Sequence, residues 1–222
     1  MFFLPLMFVY FVLFLFLLVF LFALVQLGIF TIAFQKLGIP PSQLFLLLFA
    51  TLVGSFINIP IARLEGEPVE EDMVVFSVWG VPYRVRVPKR RETVLAVNLG
   101  GAVIPVLLSL HLWGRVGFAW QPLLGVAIVA LVTHRLSRPV RGVGIVVPLF
   151  IPPLLAASVA LLLAPHFSAP VAYISGTLGT LVGADIMNLK KIKEVGAPVA
   201  SIGGAGTFDG IFLTGIIAVL LA

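Results

Sequence analysis

Two of the nine acidic residues, Asp185 and Asp209, fall inside long apolar stretches. The other seven, Glu65, Glu67, Glu70, Glu71, Asp72, Glu92 and Glu194, fall in polar connections or at their edges. An ionised aspartate at the centre of a membrane helix costs roughly 2.5–3.5 kcal/mol on insertion scales, so such a residue is expected to face a bundle interior and to mark a site or an ion path. Asp185 lies twelve residues before Ala197 and Asp209 twelve residues after it. If the chain turns near Ala197-Pro198, an antiparallel helix pair puts both acids at about the same height. Two carboxyls sharing one site cannot easily both ionise, so one proton is shared between them. One group can then activate water while the other protonates a carbonyl or a leaving amine, which is acid–base hydrolysis of a peptide bond.

The elements around the acids must bring them together. Gly179 and Gly183 precede Asp185 with four-residue spacing, and Gly206 and Gly210 bracket Asp209 in the same way. Small residues at that spacing let helix backbones approach closely in lipid, and the expectation is that these two pairs face each other. Gly206 and Phe208 immediately precede Asp209. Asn188 stands about one turn after Asp185, and Asn98 opens the Asn98-Leu99-Gly100-Gly101 run, so these four are candidate substrate-binding or site-supporting residues. A buried aspartate bonded to a neighbouring polar group, with no chemistry at all, is the plainer alternative.

Composition says where such helices sit. The chain has 222 residues, 61% hydrophobic and only 10% charged, against about 25% charged in a soluble domain. Lipid is the solvent that suits it. The net charge of +5 does not indicate nucleic acid, because the basic residues cluster in connections between apolar runs. With no cysteine and three scattered histidines, neither a thiol nor a metal site is expected, and no cofactor is implied.

Apolar runs and their breakers predict an all-α, polytopic membrane bundle in one domain, with about seven helices near 3–35, 41–62, 93–112, 117–134, 143–164, 168–189 and 199–221. The first of these exceeds the bilayer core and must tilt, bend or project. Within the long second connection, alternation at Val81, Tyr83, Val85 and Val87 predicts a short cytoplasmic β-hairpin over about 73–88 that turns near Trp79-Gly80. Pro148, Pro152 and Pro153 are expected to kink the fifth helix. Arg63, Arg84, Arg86, Lys89, Arg90 and Arg91 lie in the second connection, Arg135, Arg138 and Arg141 in the fourth, and Lys190, Lys191 and Lys193 in the sixth. Only Lys36 and Arg115 lie elsewhere. The even connections, and with them the N-terminus, are therefore expected in the cytoplasm and the C-terminus outside.

The segment Asp185-Ile186-Met187-Asn188-Leu189 resembles the stretch after the first catalytic aspartate of presenilin. Gly206-Thr207-Phe208-Asp209 resembles the GxGD motif of the intramembrane aspartyl proteases, with Phe208 in place of the second glycine. The likeness covers mainly residues 175–215. It implies an Asp185–Asp209 dyad on the sixth and seventh helices, transmembrane substrate helices as partners, and neither metal nor organic cofactor. The whole chain also resembles a family of archaeal and bacterial polytopic membrane proteins defined as a domain of unknown function. Three readings stay open: a presenilin-like protease, a proton- or cation-coupled transporter or channel using the same two acids, and a non-catalytic membrane scaffold. The oligomeric state is not legible.

Overall fold

The computed structural model describes residues 6–26, 28–76, 82–140, 144–191, 199–204 and 210–222. The chain is mostly helical, as expected, and beyond the expected hairpin it carries a third strand beside it and a separate two-stranded sheet. Among the described residues, one helical stretch, Pro165–Lys191, with 27 residues, is long and apolar enough to cross a membrane. Shorter apolar helical stretches include Ser42–Gly54, Gln121–Leu136 and Ile151–Leu163.

The expected first helix is divided. α1 spans Leu6–Gln26 and α2 spans Ile29–Lys36. Between them Gly28 takes φ +78°, a left-handed conformation that glycine enters without the Cβ clash of other residues. α3 covers Pro41–Gly54, shorter than the expected 41–62. Beyond it the chain turns extended at Asn58, where Asn58-Ile59-Pro60-Ile61 favours a strand over a helix.

β1 (Asn58–Phe76) and β2 (Pro82–Asn98) pair antiparallel from Asn58↔Asn98 to Phe76↔Pro82. This hairpin is far longer than the expected 73–88 and takes in both ends of the polar connection. The turn expected at Trp79-Gly80 lies outside the described residues. Thr93-Val94-Leu95-Ala96-Val97, expected to open a helix, instead completes β2, in keeping with its β-branched content. The helix starts only after Asn98, with a π-helical turn at Leu99–Val103 that leads into α4 (Ile104–Arg115).

α5 spans Gln121–Leu136. A small antiparallel pair follows, β3 (Arg138–Val140) with β4 (Gly144–Val146). α6 covers Ile151–Leu163, not 143–164. Its prolines do not kink it: Pro152 sits in the first turn, where a proline gives up no intrahelical hydrogen bond. α7 (Ser168–Thr180) runs into a π-helical turn, Leu181–Asp185, and then a 3₁₀ turn, Ile186–Asn188. Where the seventh helix was expected to begin, Val199–Ile202 forms strand β5, parallel to β2. The last helix, α8, is Gly210–Leu221.

α7 is the centre of the bundle. Tyr173 and Ile174 join one apolar cluster with Phe34 of α2, Leu48 of α3, Leu112 of α4 and Phe212 of α8. Val171 and Ala172 join a second with Val129 of α5, Ala156 of α6 and Ala218 of α8. At one end of the bundle Lys36 Nζ donates to the Val219 and Leu220 carbonyls at 3.4 and 3.3 Å, and Arg115 donates to the Leu37 and Gly38 carbonyls at 2.9 and 3.0 Å. Both cations thus satisfy carbonyls at helix C-termini, where a positive charge also suits the helix dipole. Ser168 Oγ reaches the Ala222 carbonyl at the same end.

Candidate functional site

Asp185 stands at the opposite end, where the regular α-helix of α7 gives way to its π turn. Such turns are local departures from α geometry that recur at functional sites. The residue is half-buried, and its Oδ2 accepts a hydrogen bond from the Gly203 backbone N–H at 2.7 Å. Gly203 takes φ +85° and Gly204 φ +87°, which delivers the chain out of β5 and towards the residues before α8.

Glycine is required at this crossing. A Cβ on Gly101 would run into the Gly203 carbonyl oxygen, and a Cβ on Gly203 would meet the Ala102 Cβ and backbone N at 2.6 Å. The π turn that opens α4 is therefore the surface on which the partner of Asp185 rests. Asn98 holds that turn in place. Its Oδ1 accepts from the Gly101 N–H at 2.7 Å, and its Nδ2 donates to the Ser55 carbonyl at 2.6 Å and to Asn58 Oδ1 at 3.0 Å. Asn58 Oδ1 also accepts from Ser201 Oγ at 2.6 Å. Hydrogen bonds and close packing thus run unbroken from the root of the hairpin through β5 to Asp185.

Asn188 supports the site from the other side. It is 1% exposed, and the two hydrogens of its Nδ2 are shared among Ser137 Oγ at 2.8 Å, the Gly183 carbonyl at 2.9 Å and the Ala184 carbonyl at 3.0 Å. The carbonyls of the π turn are thereby fastened to the end of α5.

Asp185 opens on a cavity of about 250 Å³ whose lining includes Pro148, Leu149, Pro152, Thr180, Ile211 and Thr214. Pro148 and Leu149 arrive in the segment between β4 and α6, Thr180 from the last regular turn of α7, and Thr214 from α8. Thr180 and Thr214 are 4% and 2% exposed. Val146 and Leu149 of the lining are also exposed on the outside of the protein.

Asp209, Gly206 and Phe208 lie outside the described residues, so the Asp185–Asp209 separation does not enter this geometry. The glycine ridges are corrected in part. A Cβ on Gly179 would meet Val129 at 2.6 Å, and one on Gly183 would run into the Ala130 carbonyl. These glycines therefore seat α7 on α5 and not on the last helix. Gly176 and Gly215 serve the α7–α8 seam: Gly176 faces Thr214 and Ala218, and Gly215 faces Tyr173 and Thr177. Sequence reasoning missed Thr180, Thr214 and Ser201. The first two are threonines in an apolar run with no spacing to single them out, and Ser201 meets Asn58, a polar residue the sequence does single out near the end of the expected second helix, only through the strand pairing. Among the described residues, no three His, Asp or Glu side chains gather as a metal site.

Comparison with curated proteins and with solved structures gave no match. The family comparison gave one, to a model described as a protein of unknown function, DUF1614, over residues 52–221. That stretch runs from the end of α3 to the end of α8 and takes in the hairpin, both π turns and both aspartates, and the chain is a member of this family.

Proposed function

We propose that the protein is a multi-pass membrane protein of about seven spans that acts as an intramembrane aspartyl protease of the presenilin-like kind, with Asp185 and Asp209 as its dyad. The N-terminus and the polar hairpin lie on the cytoplasmic side, the C-terminus outside. The observation that carries the reading is the setting of Asp185: an acid at the irregular end of a long apolar helical stretch, lining a cavity that Pro148, Leu149 and the start of α8 also line. The Gly203 N–H that follows β5 donates to that acid.

Large apolar side chains point outward on the surrounding helices, among them Phe16 at 70%, Leu46 at 67% and Leu162 at 82% exposure. Scattered exposed apolar residues are ordinary in soluble proteins, but such side chains on almost every outer helix suit a lipid surround. The short helices cross with help from the extended and π-helical residues that adjoin them. In the reaction a water oxygen bonds to the peptide carbonyl carbon as one aspartate takes its proton. The other aspartate protonates the departing nitrogen as the C–N bond breaks.

The test is cleavage of model transmembrane substrates by the purified full-length chain in bilayers. Cleavage lost in both Asp185→Ala and Asp209→Ala supports the dyad. Cleavage that survives either change overturns it. Ion-dependent flux in liposomes that disappears with the same substitutions, without cleavage, replaces the protease with a transporter.

A further inference from the structure

We infer that the turn joining α4 to α5, residues 116–120, is an aromatic anchor that seats the bundle in the lipid headgroup boundary, on the side away from Asp185. Its partner is the lipid surface itself. The inference rests on the membrane part of the proposed function and is independent of the dyad.

The turn presents two aromatic side chains outward: Phe118 is 67% exposed and Trp120 60%. Its backbone is nonetheless held. The Phe118 N–H donates to the Trp113 carbonyl at 3.0 Å, and the two rings meet steeply tilted, with centroids 5.4 Å apart. Trp113 in turn donates its indole N–H to the Ala119 carbonyl at 2.8 Å. Phe118 takes φ +53°, in the left-handed region that a bulky residue enters only at a cost. Gly117 before it, at φ +67°, is already the left-handed residue that commonly ends a helix. A second one that carries a large apolar ring is strain, and strain of this kind points to a use for the ring where it stands.

The surroundings identify the use. Leu107 and Leu110 of α4 are exposed, and so are Leu123 and Leu124 at the start of α5. Three residues separate Leu110 from Trp113, about 4.5 Å along a helix, so the aromatic turn forms the rim of an exposed leucine surface. Aromatic rings gather at that level of a membrane, where acyl chains give way to headgroups. Arg115 adjoins the turn, with its guanidinium engaged by the Leu37 and Gly38 carbonyls. No acidic residue occurs in residues 34–43, 110–121, 160–171 or 216–222, the segments that meet at this end, so a lipid phosphate meets no like charge there. A second copy of the chain suits the turn less well. Two rings of roughly 150–250 Å² each, already partly covered, fall short of the about 800 Å² that each partner buries in a stable dimer.

Fluorescence quenching of the full-length protein in vesicles tests the anchor. Trp79→Phe leaves Trp113 and Trp120 as the only tryptophans. In phosphatidylcholine brominated either near the headgroup or near the chain end, their emission is expected to be lost more to the shallow bromines than to the deep ones, and little to aqueous acrylamide. Adding Trp120→Phe, which keeps a ring and removes the exposed indole, is expected to remove the greater part of the bromine-sensitive emission. Phe118→Asn, a polar residue that tolerates the left-handed backbone, is expected to weaken the shallow quenching while the protein still floats with the vesicles. Stronger quenching by acrylamide than by either lipid overturns the anchor, and this comparison does not need the Phe118 or Trp120 variants to fold. Bromine quenching that fades as more protein is packed into each vesicle also overturns it, because a second copy then covers the turn. A lipid-quenched turn without Asp185-dependent cleavage sinks the protease reading alone. Cleavage with the turn in water sinks the anchor alone, and a chain that does not float with vesicles sinks the membrane reading beneath both.

Discussion

Two π-helical turns face each other across the polar end of the bundle, and they are built to different ends. The turn at Leu99–Val103 is closed. Asn98 caps it with one acceptor and two donor contacts, Gly100 and Gly101 press against neighbouring backbone, and all three are buried. The turn at Leu181–Asp185 ends in a half-buried carboxylate that accepts a backbone N–H from a distant segment and opens on a cavity. Similar backbone irregularity thus serves a rigid support in one place and the edge of an opening in the other. The residue types differ accordingly: a neutral amide that both donates and accepts at the closed turn, a carboxyl that accepts a backbone N–H at the open one.

Substitutions that probe each turn in kind sharpen the contrast. The largest effect is expected at Gly101→Ala, whose Cβ runs into the Gly203 carbonyl. Because the obstacle is backbone, relief needs a shift of the β5 loop, and the expected loss is about 4 kcal/mol, or the folded state itself. Chemical unfolding in detergent measures it.

Asn98→Asp comes next. The carboxylate keeps the bond from the Gly101 N–H but faces the Ser55 carbonyl and Asn58 Oδ1 with no hydrogen to donate. A loss of about 3 kcal/mol is expected from the two unmet acceptors. At the second turn the reverse exchange, Asp185→Asn, retains an oxygen for the Gly203 N–H. Stability should change by less than about 1 kcal/mol, while cleavage falls by about 100-fold or more with the loss of an acid–base group. Similar stability losses for Asn98→Asp and Asp185→Asn would erase the distinction between the two turns.

The smallest effect is expected at Gly210→Ala at the start of α8. A Cβ there meets nothing within 4 Å, and alanine favours the helix by about 0.5–1 kcal/mol, so a small rise in unfolding temperature is expected.

Much of the helical content was legible from apolar runs. The match is best for α7, where Ser168–Asn188 covers the expected 168–189 almost residue for residue. The hairpin was legible only at its tip, because strict alternation is confined to Val81–Val87. Its roots, Asn58–Leu64 and Thr93–Asn98, are apolar enough to pass for helix ends. They become strands because each is the other's partner, and β5 adds a third. Pro148, Pro152 and Pro153 suggest a kink because the sequence leaves open where a helix starts, and a proline inside a helix and one before it or in its first turn look alike on paper.

Composition and residue order alone establish that this chain is apolar, that two acids are set into apolar stretches, and that the basic residues gather in alternate connections. These are properties of composition and order, and they need no contact to be read. Which faces meet is visible only in the folded chain: Gly179 and Gly183 seat α7 on α5, a backbone N–H of the loop after β5 donates to Asp185, and Thr180 and Thr214 share its cavity. The physical reason is that a helix with apolar residues all round carries no stripe to say which side is inside. Its neighbours are chosen by the fit of small residues and by the few hydrogen bonds across the seams, and those exist only once the helices are together.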